Sequence, residues 1–96
     1  MAVGFHPEAS EEVSEAAAYY EQEVQGLGEA FLSEIERAIR FLEEYPETGQ
    51  PIGDSLRKLA LSRFPYSLIY SLESDRIWMV AVAHQRRLPR YWQGRV

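Results

Sequence analysis

The chain has 96 residues, no cysteine, 46% apolar and 26% charged side chains, and a formal net charge of −5. That length suits one domain over 1–96, the composition excludes a disordered chain, disulfides and thiolate metal sites, and the acidic balance argues against general coating of nucleic acid. No stretch approaches the roughly 20 apolar residues of a membrane span, and Met1–His6 lacks the features of a signal peptide, so a cytoplasmic protein is expected.

Val3 and Phe5 alternate with smaller residues and begin a short strand. Pro7 suits a helix start, and Glu8, Glu11 and Glu12 complement the positive end of its dipole. Ala9, Val13, Ala16, Ala17, Tyr20 and Val24 recur at spacings of three and four, which predicts a helix from about Glu8 to Gln25. Gly26-Leu27-Gly28 breaks that pattern. A second stripe follows, Phe31, Ile35, Ala38, Ile39 and Leu42, ending near Tyr45 because Pro46 disfavours helical geometry before it. So short a break predicts an antiparallel helical hairpin. Pro46 to Pro51 reads as a loop.

The second half changes period. Arg57 to Leu61 reads as a strand, and Tyr66 to Glu73 alternates cleanly. Ser74-Asp75 marks a tight turn, and Ile77 to Ala83 is apolar on both faces, as a central strand should be. The expected fold class is α+β: a small antiparallel sheet with a helical hairpin on one face, in the order β-α-α-β-β-β.

Alternation nominates the face under the helices as Leu59, Leu61, Tyr66, Leu68, Tyr70, Leu72, Ile77, Met79, Ala81 and Ala83, with the two alanines allowing close helix approach. The opposite face carries Lys58, Ala60, Ser62, Ser67, Ile69, Ser71, Trp78, Val80, Val82 and His84. It is too polar for a core and too apolar to stay wet, and it reads as a surface for a partner or substrate. Charge is also divided. Residues 1–48 hold twelve acids and two bases, residues 49–96 three acids and eight bases. The acidic helix face is expected to be solvated, and the basic half to face something else.

Residues 84–95 gather one histidine, four arginines, Tyr91 and Trp92. Arginine forks match phosphate or carboxylate, aromatic faces stack, and histidine moves protons near neutral pH. The same residues also suit a solvated basic tail whose aromatics cap the core. Tyr66 and Tyr70 read as packing residues, and His84 as a hydrogen-bonded structural residue or a general base. Two histidines and no acidic cluster at ligand spacing give no metal site and no cofactor site.

With Tyr19-Tyr20 ahead of Gly26-Leu27-Gly28, Phe31-Leu32, Ile35, the proline-bounded loop, Arg63-Phe64-Pro65-Tyr66-Ser67-Leu68-Ile69-Tyr70, Val80 to His84, Arg86-Arg87, Pro89 and Tyr91-Trp92, nearly the whole chain resembles the RelE/ParE superfamily of type II toxin–antitoxin toxins. The resemblance implies growth inhibition, plasmid stabilisation and a cognate antitoxin, with which the toxin forms a hetero-oligomer. RelE-like members cut messenger RNA on the ribosome, and ParE-like members poison DNA gyrase without known nuclease activity. By position, Lys58, Arg86 and Tyr91 (or Trp92 as the late aromatic) match the RelE-type catalytic residues, with His84 available as a base. Two expected cations fall on Ala60 and Ser67, however, and cations there stabilise the negative charge that builds in phosphoryl transfer. The ParE-like branch is therefore favoured. Arg63, Arg87, Trp78, Val80, Val82, Ile69 and Trp92 are the expected contacts to target or antitoxin. The alternatives are a ribosome-dependent endonuclease and a non-toxic antitoxin-binding module.

Overall fold

Two amphipathic helices and a set of alternating strands each have one face to bury, and stacking them in two layers satisfies both. The computed structural model describes residues 1–95. In chain order it contains β1 (Ala2–Phe5), α1 (Pro7–Glu23), α2 (Leu27–Glu44), β2 (Gln50–Ile52), β3 (Leu56–Ala60), β4 (Tyr66–Leu72), β5 (Arg76–His84) and a closing 3₁₀ turn, Gln93–Arg95. The sheet order is β1-β5-β4-β3-β2. The α+β class and the helical hairpin on one face are as expected.

The sheet differs from expectation in two respects. It is mixed, because β1 runs parallel to β5 (Ala2 opposite Arg76, Phe5 opposite Met79) while the other pairs are antiparallel. No hairpin joins β1 to β5, so nothing imposes an antiparallel pairing. The loop after Pro46 also yields a fifth strand, β2, at the sheet edge. Pro51 lacks an N–H, which an edge position tolerates.

The helical hairpin is fixed at its turn. The Glu21 carboxylate accepts from the N–H groups of Gly26 (2.8 Å) and Gly28 (3.0 Å), satisfying donors at the start of α2. Gly28 is buried against α1, where a Cβ would lie 2.5 Å from the Ala17 carbonyl oxygen. Beneath the helices, Tyr20, Phe31 and Phe64 form a triangle with centroids 5.0 to 5.5 Å apart. Tyr66 completes the group 5.2 Å from Phe31. Tyr70 is fully buried; its hydroxyl donates to the Pro46 carbonyl (2.8 Å) and accepts from Gly49 N–H (2.9 Å), which ties the loop before β2 to the sheet.

One irregularity decides which residues face where. Tyr70 pairs with Met79 but Ile69 pairs with Ala81, so Val80 is an extra residue, a β-bulge in β5. One inserted residue exchanges the faces of everything beyond it. Val82, expected on the open face, packs into the main core with Ala9, Ala16 and Phe31. Ala81 and Ala83, expected under the helices, lie on the other side with Ile69 and Val80. Leu68, Tyr70, Ile77 and Met79 face the helices as predicted.

Val82→Ala is expected to destabilise the fold by about 2 kcal/mol, the cost of two buried methyl groups plus a partial cavity. Ser71→Ala, on the other side of the sheet, should change stability by less than about 0.5 kcal/mol. Urea unfolding midpoints check both.

Candidate binding site on the second sheet face

The four residues of β1 cover β5 only as far as Met79, after which His6 N–H closes the ladder on the Met79 carbonyl (2.8 Å). Beyond that point no strand lies along the outer edge of β5 among the described residues. Backbone groups there need other partners. Glu12, reaching down from α1, accepts from Val82 N–H at 2.9 Å. Arg95 donates to the Val80 carbonyl at 3.1 Å and holds Glu12 in a two-pronged pair at 3.0 and 3.1 Å. The Tyr91 hydroxyl donates to the same carboxylate at 2.7 Å, and Arg95 also reaches Glu8 at 3.2 Å. Arg87 lies 4.1 Å over the Tyr91 ring.

This network straps the C-terminal segment across the sheet. Arg90 takes a left-handed conformation, φ 64°, as the chain turns back. Trp92, only 8% exposed, then packs on Ile69, Val80, Ala81 and Ala83. The second face therefore carries a small core of its own. The apolar strip expected to lie open, Ile69 and Val80, is buried in the monomer, because Trp92 covers it. The acidic helix face is likewise not wholly solvated, since Glu8 and Glu12 pair with the basic end of the chain.

The predicted residues do not all come together. Lys58, His84, Arg87, Ile69 and Trp92 converge on one cavity of about 140 Å³, completed by Ser67, Ala83, Gln85 and Pro89. Trp78 sits at the far end of the same face, half-buried, with Arg76 stacked 4.3 Å over its ring. Gly4 lies opposite Trp78 and leaves room for it, since a Cβ there would be 3.0 Å from the indole. Tyr91 belongs to the strap. Arg63 lies apart, in a groove lined by Phe41, Arg37 and Ala60 between α2 and β3; its backbone N–H donates to the buried Glu34 carboxylate at 2.9 Å. Val82 is excluded from the surface by its place under α1. Arg86 is exposed, and its backbone N–H donates to His84 Nδ1 at 3.0 Å, which leaves the ring proton of neutral His84 on Nε2. The His84 ring meets Tyr66 edge-on at 5.1 Å.

Two important residues were missed from sequence. Arg95 is outside the expected contacts, and the sequence pattern gives Glu12 only a dipole-complementing role. The signal for Glu12 was its spacing: it lies three residues after Ala9 and four before Ala16, on the buried stripe, where a carboxylate needs a partner. Among the described residues, no three histidine, aspartate or glutamate side chains are grouped to hold a metal.

The strap responds to acid. Burial alone would push the Glu12 carboxyl up, but the Arg95 guanidinium, Val82 N–H and Tyr91 hydroxyl outweigh it and hold it below the ordinary value of 4.5. Burial first, and then the adjacent Glu12 charge, push the Tyr91 phenol well above its usual range. The folded state thus keeps Glu12 ionised to lower pH than the unfolded chain does. Its contribution is full above about pH 4.5 and is lost as pH falls through the lowered folded value. Glu12→Gln is expected to flatten the acid limb of a stability–pH curve. Arg95→Ala should cost about 2 kcal/mol at neutral pH. Urea unfolding at several pH values checks both.

The sequence profile of the family described as "ParE toxin of type II toxin-antitoxin system, parDE" matches residues 3–89. No curated protein sequence matches the chain. Among solved structures, one from a chromosomal ParDE toxin–antitoxin system of P. aeruginosa superposes with a TM-score of 0.65 at 17% identity, covering 88% of this chain and 95% of that one. The fold is thus shared with that structure, and the profile match runs from Val3 in β1 to Pro89, taking in every cavity residue except Trp92: the chain belongs to the ParE toxin family of type II toxin–antitoxin systems.

Proposed function

We propose that this toxin arrests growth by binding DNA gyrase and that its cognate antitoxin neutralises it by docking on the second sheet face. The observation that carries the non-nuclease reading is the state of the face where a RelE-type nuclease would work. Ala60 and Ser67 occupy two positions that would carry cations there, and the Tyr91 hydroxyl is committed to Glu12 at 2.7 Å. Phosphoryl transfer through an attacking 2′-hydroxyl needs concentrated positive charge at the scissile phosphate. Here Lys58 stands without those two cations, and a phenol held well above its usual pKa is a poor proton carrier at neutral pH.

The surface suits protein recognition. Half-buried Trp78 offers an aromatic anchor, while Lys58, Arg86 and Arg87 supply a cationic rim beside a cavity floored by Ile69, Ala83 and Trp92, with Val80 buried beneath the indole. An acidic, amphipathic antitoxin segment complements both. Arg63, on the groove beside α2, is assigned to a separate contact with target or antitoxin.

The purified toxin is expected to inhibit gyrase supercoiling and to leave messenger RNA intact in a translating extract. Codon-specific cuts abolished by Arg86→Ala would instead establish the endonuclease reading, with Lys58, His84 and Tyr91 as its remaining groups. Expression without growth arrest would establish a non-toxic module. Trp78→Ala should weaken the antitoxin complex about tenfold or more, whereas Glu36→Ala should leave it within about twofold, as a binding titration would show.

A further inference from the structure

The cavity beside the end of β5 has a feature that packing does not explain. Ser67 is 2% exposed, and its hydroxyl oxygen is buried without a hydrogen-bond partner. Buried hydroxyls are normally satisfied, and one that is not points to a missing partner. Ser67 lines the cavity of about 140 Å³ together with Lys58, Arg87 and His84 on one side of the chemistry and Ile69, Ala83, Pro89 and Trp92 on the other. A hydroxyl, an ammonium and a guanidinium are all donors, and so is the neutral His84 ring through Nε2. Donors of this kind above an apolar floor call for a small anion carried on hydrocarbon.

We propose that this cavity is a receptor for a single glutamate or aspartate side chain of a bound polypeptide, with its carboxylate taken by Ser67, Lys58 and Arg87 and its methylenes laid on Ile69, Ala83 and Trp92. The inference rests on the reading of this face as a protein-docking surface and names the group that docks. Size favours a side chain. The cavity is comparable to one that holds a single six-membered ring, and it is well below the roughly 300 Å³ at which clefts begin to accept nucleotide-sized ligands. Charge favours a single carboxylate over a polyanion. Glu12 and Glu15 line the adjoining depression, which His84 and Arg87 share. Nucleic-acid affinity comes from neutralising several phosphates in a row, and here the next site along is acidic.

The test is a ¹⁵N–¹H correlation titration of the full chain with three probes: N-acetyl-glutamate N-methylamide, its glutamine counterpart, and inorganic phosphate. The glutamate probe is expected to bind in the millimolar range, with shifts concentrated at Ser67, Ala83, His84 and the Trp92 indole. The glutamine probe should bind at least about tenfold more weakly. Ser67→Ala should keep the melting temperature at or above that of the parent, since it removes an unsatisfied hydroxyl, and should weaken glutamate binding about tenfold. Lys58→Gln, an exposed substitution, should weaken it severalfold. Equal binding of glutamate and glutamine probes, shifts elsewhere on the chain, or undiminished binding by Ser67→Ala would overturn the proposal. Phosphate binding more tightly than glutamate at the same residues would overturn it in favour of a nucleic-acid phosphate site. Because no gyrase or antitoxin enters the titration, failure of the proposed target leaves its outcome unaffected.

Discussion

A short β1 leaves half of the outer edge of β5 without a strand among the described residues, and a single carboxylate answers for that omission. Glu12 takes the orphaned Val82 N–H, and in doing so becomes a buried charge that needs a cation. Arg95 supplies the cation and also meets the Val80 carbonyl, so one pair of side chains satisfies an N–H and a carbonyl of the exposed edge. Neither residue is stable there alone. A lone buried carboxylate or guanidinium is costly, while the pair with its added hydrogen bonds is not. Tyr91 and Trp92 follow because Arg95 must come to Glu12, and their path lies over the sheet.

The bulge at Val80 sets what that path covers. It sends Val82 to the helices and turns Ala81 and Ala83 outward, where their small side chains leave space beside Ile69 for the Trp92 indole. Larger residues would lift the indole off the sheet. Small residues are thus used as the sequence suggested, to permit close approach, but the approaching group is the C-terminal segment and not a helix. The opposed charges of the two halves find their explanation here as well: part of the acidic first helix and part of the basic tail meet at this junction.

Much of the architecture was legible because the relevant residues repeat. The stripe from Ala9 to Val24, the stop at Pro46 and the alternation from Tyr66 to Leu72 each carry a period long enough to read. The bulge left no such trace. Ile77 to Ala83 is apolar at every position, so a one-residue slip alters no alternation, and only the pairing with β4 exposes it. β2 is three residues long, contains Pro51 and follows a loop, which puts it below what periodicity can detect. Of the site, the convergence of Lys58, His84, Arg87 and Trp92 followed from their strand positions and from the clustering of charge after β5. The burial of Ile69 and Val80 did not, because it depends on a tail whose return is fixed by Glu12, far away in the chain.

That separation has a consequence for how the molecule comes into being. Glu12 and Arg95 stand 83 residues apart, and a nascent polypeptide grows at roughly 5–20 residues per second, beginning from its N-terminus. The helix bearing the carboxylate therefore waits on the order of 4 to 17 s for its guanidinium, and throughout that interval the outer edge of the last strand is absent or bare. The Val80 carbonyl and the Glu12 carboxylate gain their guanidinium partner only after Arg95 has been made, so the strap closes after the helices and strands that it ties together.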